Sequence, residues 1–157
     1  MSKFIHPLTT EAALYVASNL RPDDYREVTE GHGVNALLAA VRPLDEDNVY
    51  FIVPSGETAG MAGVGADGRV WMLCTPAIDK YPITFAREAK RYIDSRQEPL
   101  LWNFVDKRNT THLKLLKFLG FSFGREFKYG PNELTFIDFY RGISPSIRNS
   151  SSWCRST

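Results

Sequence analysis

His112 is a histidine, a residue type suited to acid–base work. It lies three residues past Asn109, and a lone histidine near a helix start more often packs or faces water than catalyses. The two cysteines are Cys74, inside an apolar run, and Cys154, in a polar stretch. They form neither a disulfide framework nor a metal-ligand spacing, and they point to a reducing compartment. Glu57 and Asp67 stand at turn signals and read as solvated turn carboxylates. Lys107, Arg108, Lys114 and Lys117 make a small basic patch beside Phe118. Such runs are usually solvated faces. A net charge of +1 supplies no global field, so nucleic acid and anionic membrane are disfavoured as partners.

These residues must be positioned by one domain, since 157 residues support one core and not two. Apolar residues at 43% and charged residues at 24% give ordinary globular composition. No apolar stretch approaches the roughly 20 residues of a membrane span, and residues 1–7 lack a signal-peptide core. The folded domain is expected over 1–142. The Ser-rich segment 143–157 reads as a tail, with Trp153 as its one anchor. Thr9 and Thr10 cap a helix through Asn19, Asp23 and Asp24 start a second, and residues 34–41 form a third. The period then shortens. Residues 49–53, 60–65 and 70–75 read as a strand meander, with Asp67-Gly68 as a tight turn and 76–82 as a loop. From 82 to 96 the helical period returns. Phe85, Ala86, Ala89, Tyr92 and Ile93 fall on one face, and Arg87, Glu88, Lys90, Arg91 and Asp94 on the other. A strand over 100–105, a helix from Asn109 and strands over 122–129 and 134–141 complete the order. A meander running into helix crossovers predicts an α/β domain, with a mixed sheet carrying helices on its faces.

Asn109 can cap the helix that carries Leu113, Leu116 and Leu119, and Gly120 can end it in the left-handed conformation before Phe121 starts a strand. This strand, Asn-capped helix and Leu119-Gly120-Phe121 ending resemble the C-terminal half of the GNAT (acetyl-CoA-dependent N-acetyltransferase) core. With the element order, the resemblance covers roughly residues 49–141. A narrower likeness lies in Arg21-Pro22-Asp23-Asp24, Val70-Trp71-Met72-Leu73 and Leu101-Trp102-Asn103-Phe104-Val105, together with Asn109 and His112. These resemble small GNAT-like proteins of short-tailed bacteriophages, some of them internal virion proteins. Two neighbouring parallel strands, 70–75 and 100–105, bridged by the helix 82–96, follow as an expectation.

The GNAT resemblance implies three chemical requirements. The first is a Gly-rich loop, patterned Gln/Arg-x-x-Gly-x-Gly/Ala, that presents N–H donors to a pyrophosphate at a helix start. The matching segment 75–84 has no glycine. Pro76 and Pro82 each remove a donor, and Asp79 repels phosphate. Thr75, Lys80 and Thr84 are the substitute cofactor contacts, and Asn109 matches a position that often touches cofactor in the family. The second is an acid for the departing thiolate. The family's tyrosine position holds Leu116, which leaves His112, Tyr81 and Tyr92 nearby, with His112 the candidate. The third is a base, and the strand 70–75 carries no carboxylate.

The resemblance therefore implies a phage GNAT-fold protein of the internal virion type. It would act through contacts with virion or host proteins, in the particle or in the cytoplasm of the infected bacterium, with its family's acetyl transfer lost or altered. The alternative is an active N-acetyltransferase using acetyl-CoA on a protein or small-molecule amine. No metal is expected.

Overall fold

A computed structural model describes residues 2–42 and 47–142. The Ser-rich segment 143–157, with Trp153 and Cys154, lies outside the described residues. Two antiparallel half-sheets form the centre. β1 (Ile5–Pro7), β2 (Val49–Ile52), β3 (Thr58–Val64) and β4 (Val70–Cys74) pair in sequence order. β5 (Leu100–Asp106), β6 (Ser122–Tyr129) and β7 (Leu134–Gly142) form the second half-sheet, in the order β5-β7-β6. The short strand β1 was not expected from the sequence. Its three residues are too few to display alternation.

The halves meet where β4 and β5 start. A single parallel bridge links Arg69 and Trp102, with Trp102 N donating to Gly68 O at 3.1 Å. Gly68 has φ +86°, and a Cβ there would lie 2.1 Å from Leu100 O, so only glycine lets the chains approach. One residue on, the side chain of Asn103 replaces the backbone ladder. Its Nδ2 donates to Val70 O at 2.6 Å, and its Oδ1 accepts from Phe104 N at 2.8 Å. Among the described residues no β4–β5 pairing follows, and the strands open into a V. The expected parallel neighbours are therefore parallel, but joined only at their base.

Helices cover both faces. On one, α5 (Pro82–Asp94) and α6 (Thr110–Phe118) bury Phe85, Ala89, Tyr92, Ile93 and Leu116 against Phe51, Leu101, Phe121 and Phe139. On the other, α1 (Thr10–Ser18) and α3 (Ala36–Val41) bury Ala13, Val16 and Ala40 against Met61. Thr9 caps α1 as expected, its Oγ1 accepting from Ala12 N at 3.1 Å. Gly120, with φ +91°, ends α6. The expected loop 76–82 contains a four-residue turn, α4 (Ala77–Lys80). Glu88, assigned to the solvent face of α5, is buried, where its carboxylate receives the Ser2 hydroxyl.

Candidate functional site

The open end of the V is spanned by α2 (Pro22–Arg26) and the π-helical turn Glu27–Gly31 that extends it. Proline at the first helical position and Asp23 and Asp24 behind it favour a helix start here. Glu27, three residues past Asp24 on the same helical face, reaches β5, where its Oε1 accepts from Asp106 N at 3.2 Å. On the β4 side, Arg21 N donates to Cys74 O at 2.9 Å, and Cys74 N donates to Asp24 Oδ2 at 2.7 Å. On the other side, Asn109 Nδ2 donates to Asp24 Oδ1 at 3.0 Å, and Arg21 Nη2 donates to Thr111 Oγ1 at 3.0 Å. His112 Nε2 lies 3.4 Å from Asp24 Oδ1. The buried Asp24 carboxylate is thus shared between strand β4 and helix α6 across the gap. Arg21, also buried, pairs with it at 3.3 Å and with Asp79 at 3.6 Å.

Asn109 departs from the role its position suggested. It precedes α6, but its side chain caps no N–H of the helix. Its amide turns instead to two carboxylates, Asp24 and Glu27, the latter at 3.3 Å. Charge-assisted bonds in a buried setting outweigh a neutral cap.

Beneath this bridge a cavity of about 540 Å³ passes through the gap between β4 and β5. On the face of the N-terminal helices it meets Glu27, His32, Arg69, Trp71, Phe104 and Tyr129. On the face of α5 and α6 it meets Met72, Tyr92, His112, Leu115, Leu116 and Leu119. Strand alternation puts the N–H and C=O of Met72 on the same edge as those of Val70 and Cys74, facing the gap. Burial, and then the charge of Asp24, push the Glu27 carboxyl up to about 8, although Asp106 N and Asn109 Nδ2 donate to it. Burial holds the His32 imidazole below its usual range, and its Nδ1 lies 3.2 Å from Tyr129 Oη. The cavity therefore offers a carboxyl that changes charge near pH 8 on one face and a buried imidazole, His112, near the other.

Eight solved structures compared with this one all describe acetyltransferases. A GNAT-family acetyltransferase from Bacillus anthracis superposes with a TM-score of 0.63 at 9% identity, over 88% of this chain and 93% of that one. A phosphinothricin acetyltransferase from Sinorhizobium meliloti, solved with acetyl-CoA, gives 0.62 at 13% identity, over 90% and 89%. A putative acetyltransferase, yncA from Salmonella typhimurium, solved with its cofactor acetyl-CoA, gives 0.62 at 14% identity, over 91% and 95%. The fold is that of the GNAT acetyltransferases. At these identities the likeness extends to the fold alone. No protein-family model matches the sequence, and no curated protein matches it.

Within the GNAT fold, the residues singled out from the sequence do not converge. His112 borders the cavity. Thr75 is buried at the end of β4, where its hydroxyl donates to Thr58 O at 2.8 Å and accepts from Ala77 N at 3.3 Å. Lys80 is exposed and pairs with Glu57 at 3.2 Å. Thr84 sits half-buried in the first turn of α5, and Asn109 is held by the two carboxylates. From the sequence, Asp24 reads only as a helix-start residue, and Glu27 carries no signal of its own. Pro22 marks the helix start, but nothing in the spacing of Asp24, Cys74 and His112 links them.

Proposed function

We propose that this chain is a GNAT-fold protein of the bacteriophage internal virion type, acting by contact with virion or host proteins, with acetyl transfer lost or atypical. The observation that carries the reading is the Arg21–Asp24 bridge over the open end of the V. In open α/β sheets ligands enter beyond the carboxyl ends of the strands. Here that end is filled by the chain's own buried carboxylate and guanidinium. The loop 75–84 adds to the case, because it has no glycine, two prolines, and a threonine and a lysine already committed to internal partners. A pyrophosphate placed there lacks the converging N–H donors that offset its desolvation. The phage setting rests on the likeness of Arg21-Pro22-Asp23-Asp24 and of the segments around Trp71 and Trp102. A surface for contact exists on α1 and α3, where Leu14, Tyr15, Leu37 and Leu38 are 42–57% exposed.

Calorimetric titration with acetyl-CoA at moderate salt tests the reading, and no saturable binding at micromolar cofactor is expected. Tight binding lost in Lys80→Ala would overturn it.

One observation favours a second reading, an acyl-CoA-dependent N-acyltransferase. The cavity is lined from both faces of the sheet, with Glu27, its carboxyl pushed up to about 8, as a base for an amine. His112 would serve as the acid, with Thr75, Lys80, Thr84 and Asn109 about the cofactor. Turnover abolished by His112→Ala would put this reading in place of the first.

A further inference from the structure

We propose that Asp24, Cys74 and His112 form a binding site for a divalent transition metal of the zinc type, which clamps α2 to β4 and α6 across the V. Cys74 Sγ, an imidazole nitrogen of His112 and a carboxylate oxygen of Asp24 all lie within 4.8 Å of one another. The three residues come from three different elements, and their exposures are 0%, 7% and 2%. Thiolate, imidazole and carboxylate together are the donor set of zinc and its neighbours, whereas calcium and magnesium take oxygen alone.

Two further features point to a ligand. His112 Nε2 is buried and makes no hydrogen bond, although it is aimed at Asp24. A buried imidazole nitrogen without a partner is costly unless something else satisfies it. Asn109 Oδ1, on the side chain that bonds Asp24, is also buried without a hydrogen bond. Zinc bonds of about 2.0–2.3 Å require ligand separations of roughly 3.3–3.8 Å, so the cluster contracts by no more than about 1.5 Å on binding. The adjacent guanidinium of Arg21 does not oppose the cation unbalanced, because Asp79 and Asp23 lie 3.6 and 3.8 Å from it. On binding, the Cys74 thiol gives its proton to solvent and the metal–sulfur bond replaces it.

The test uses the full chain carrying Cys154→Ser, stripped with chelator and titrated with cobalt(II) and then zinc. The expected result is one equivalent of metal per chain, with the near-ultraviolet thiolate-to-cobalt charge-transfer band and the intense visible bands of a four-coordinate ion. Zinc at about a hundredfold excess over its dissociation constant should raise the melting temperature by about 5–10 °C. Cys74→Ser should abolish the charge-transfer band, and His112→Ala should weaken binding more than about tenfold. A cobalt spectrum without the thiolate band overturns the proposal, and this requires no variant to fold. Equal zinc-induced shifts in the parent, Cys74→Ser and His112→Ala proteins overturn it too. None of these outcomes depends on whether acetyl-CoA binds.

Discussion

Glu27 places a carboxyl where charge is expensive. Two buried carboxylates, Asp24 and Asp106, stand beside half-buried Glu27, and desolvation is the largest cause of its raised pKa. Its folded pKa of about 8 stands above the ordinary value of 4.5, so the native state keeps a proton that the unfolded chain has released. Between those two values the folded state binds more protons, and stability therefore falls as pH rises. The contribution is complete below 4.5 and is lost above about 8. In metal-free protein, denaturant melts across this window should show that decline. Glu27→Gln, which keeps an oxygen for Asp106 N and Asn109 Nδ2, should flatten it. An unchanged slope in Glu27→Gln would assign the pH dependence elsewhere. The sequence could not reveal this group. A glutamate among Asp23, Asp24 and Glu30 looks like one more solvated charge, and its partners Asp106 and Asn109 lie far along the chain. His112 was legible as a candidate because imidazole chemistry is intrinsic to its type. Its place on the cavity wall depended on where α6 came to lie.

At the scale of elements, the junction of β4 with β5 decides whether there is a V at all. Gly68 and Asn103 make it, the first by allowing contact and the second by ending the ladder. Gly68→Ala forces a Cβ to within 2.1 Å of a backbone oxygen at a positive φ. It should destabilise the domain by more than the ~1–2 kcal/mol of left-handed backbone strain alone. A melt within 0.5 kcal/mol of the parent, on the order of a neutral surface change, would show that the junction yields without cost. Most of these elements were legible in the sequence because period and punctuation are local. Thr9 and Gly120 act within a few residues. The role of Asn109 was not local. Its position before α6 and Leu119-Gly120-Phe121 identified the helix, but the partners of its amide lie on α2 and the turn after it. Asp67-Gly68 read only as a tight turn, although the same glycine joins the two half-sheets.

For the whole molecule, the proposed absence of acetyl-CoA binding rests on two features. One is the bridge by which Arg21 and Asp24 fasten the N-terminal helices over the V. The other is the loop before α5, with its prolines and its shortage of free donors. They meet at the Arg21–Asp79 ion pair, but the loop keeps its prolines and its lack of glycine when the bridge is cut. Asp24→Ala strips Cys74 N of its acceptor, leaves Asn109 Nδ2 with Glu27 alone, and removes the nearest carboxylate from the buried Arg21 guanidinium, which keeps only the longer contacts to Asp79 and Asp23. Breaking a buried charge pair from one side costs about 3–5 kcal/mol, so chelator-treated Asp24→Ala should unfold at markedly lower denaturant. If the variant remains folded at low temperature, its V is open, yet acetyl-CoA should still show no saturable binding. The pyrophosphate would meet the same glycine-free loop and the same Asp79 carboxylate. Gain of micromolar binding in Asp24→Ala would mean that the bridge alone excludes the cofactor. The loop argument would then fail, and α2 would become a gate over a competent site.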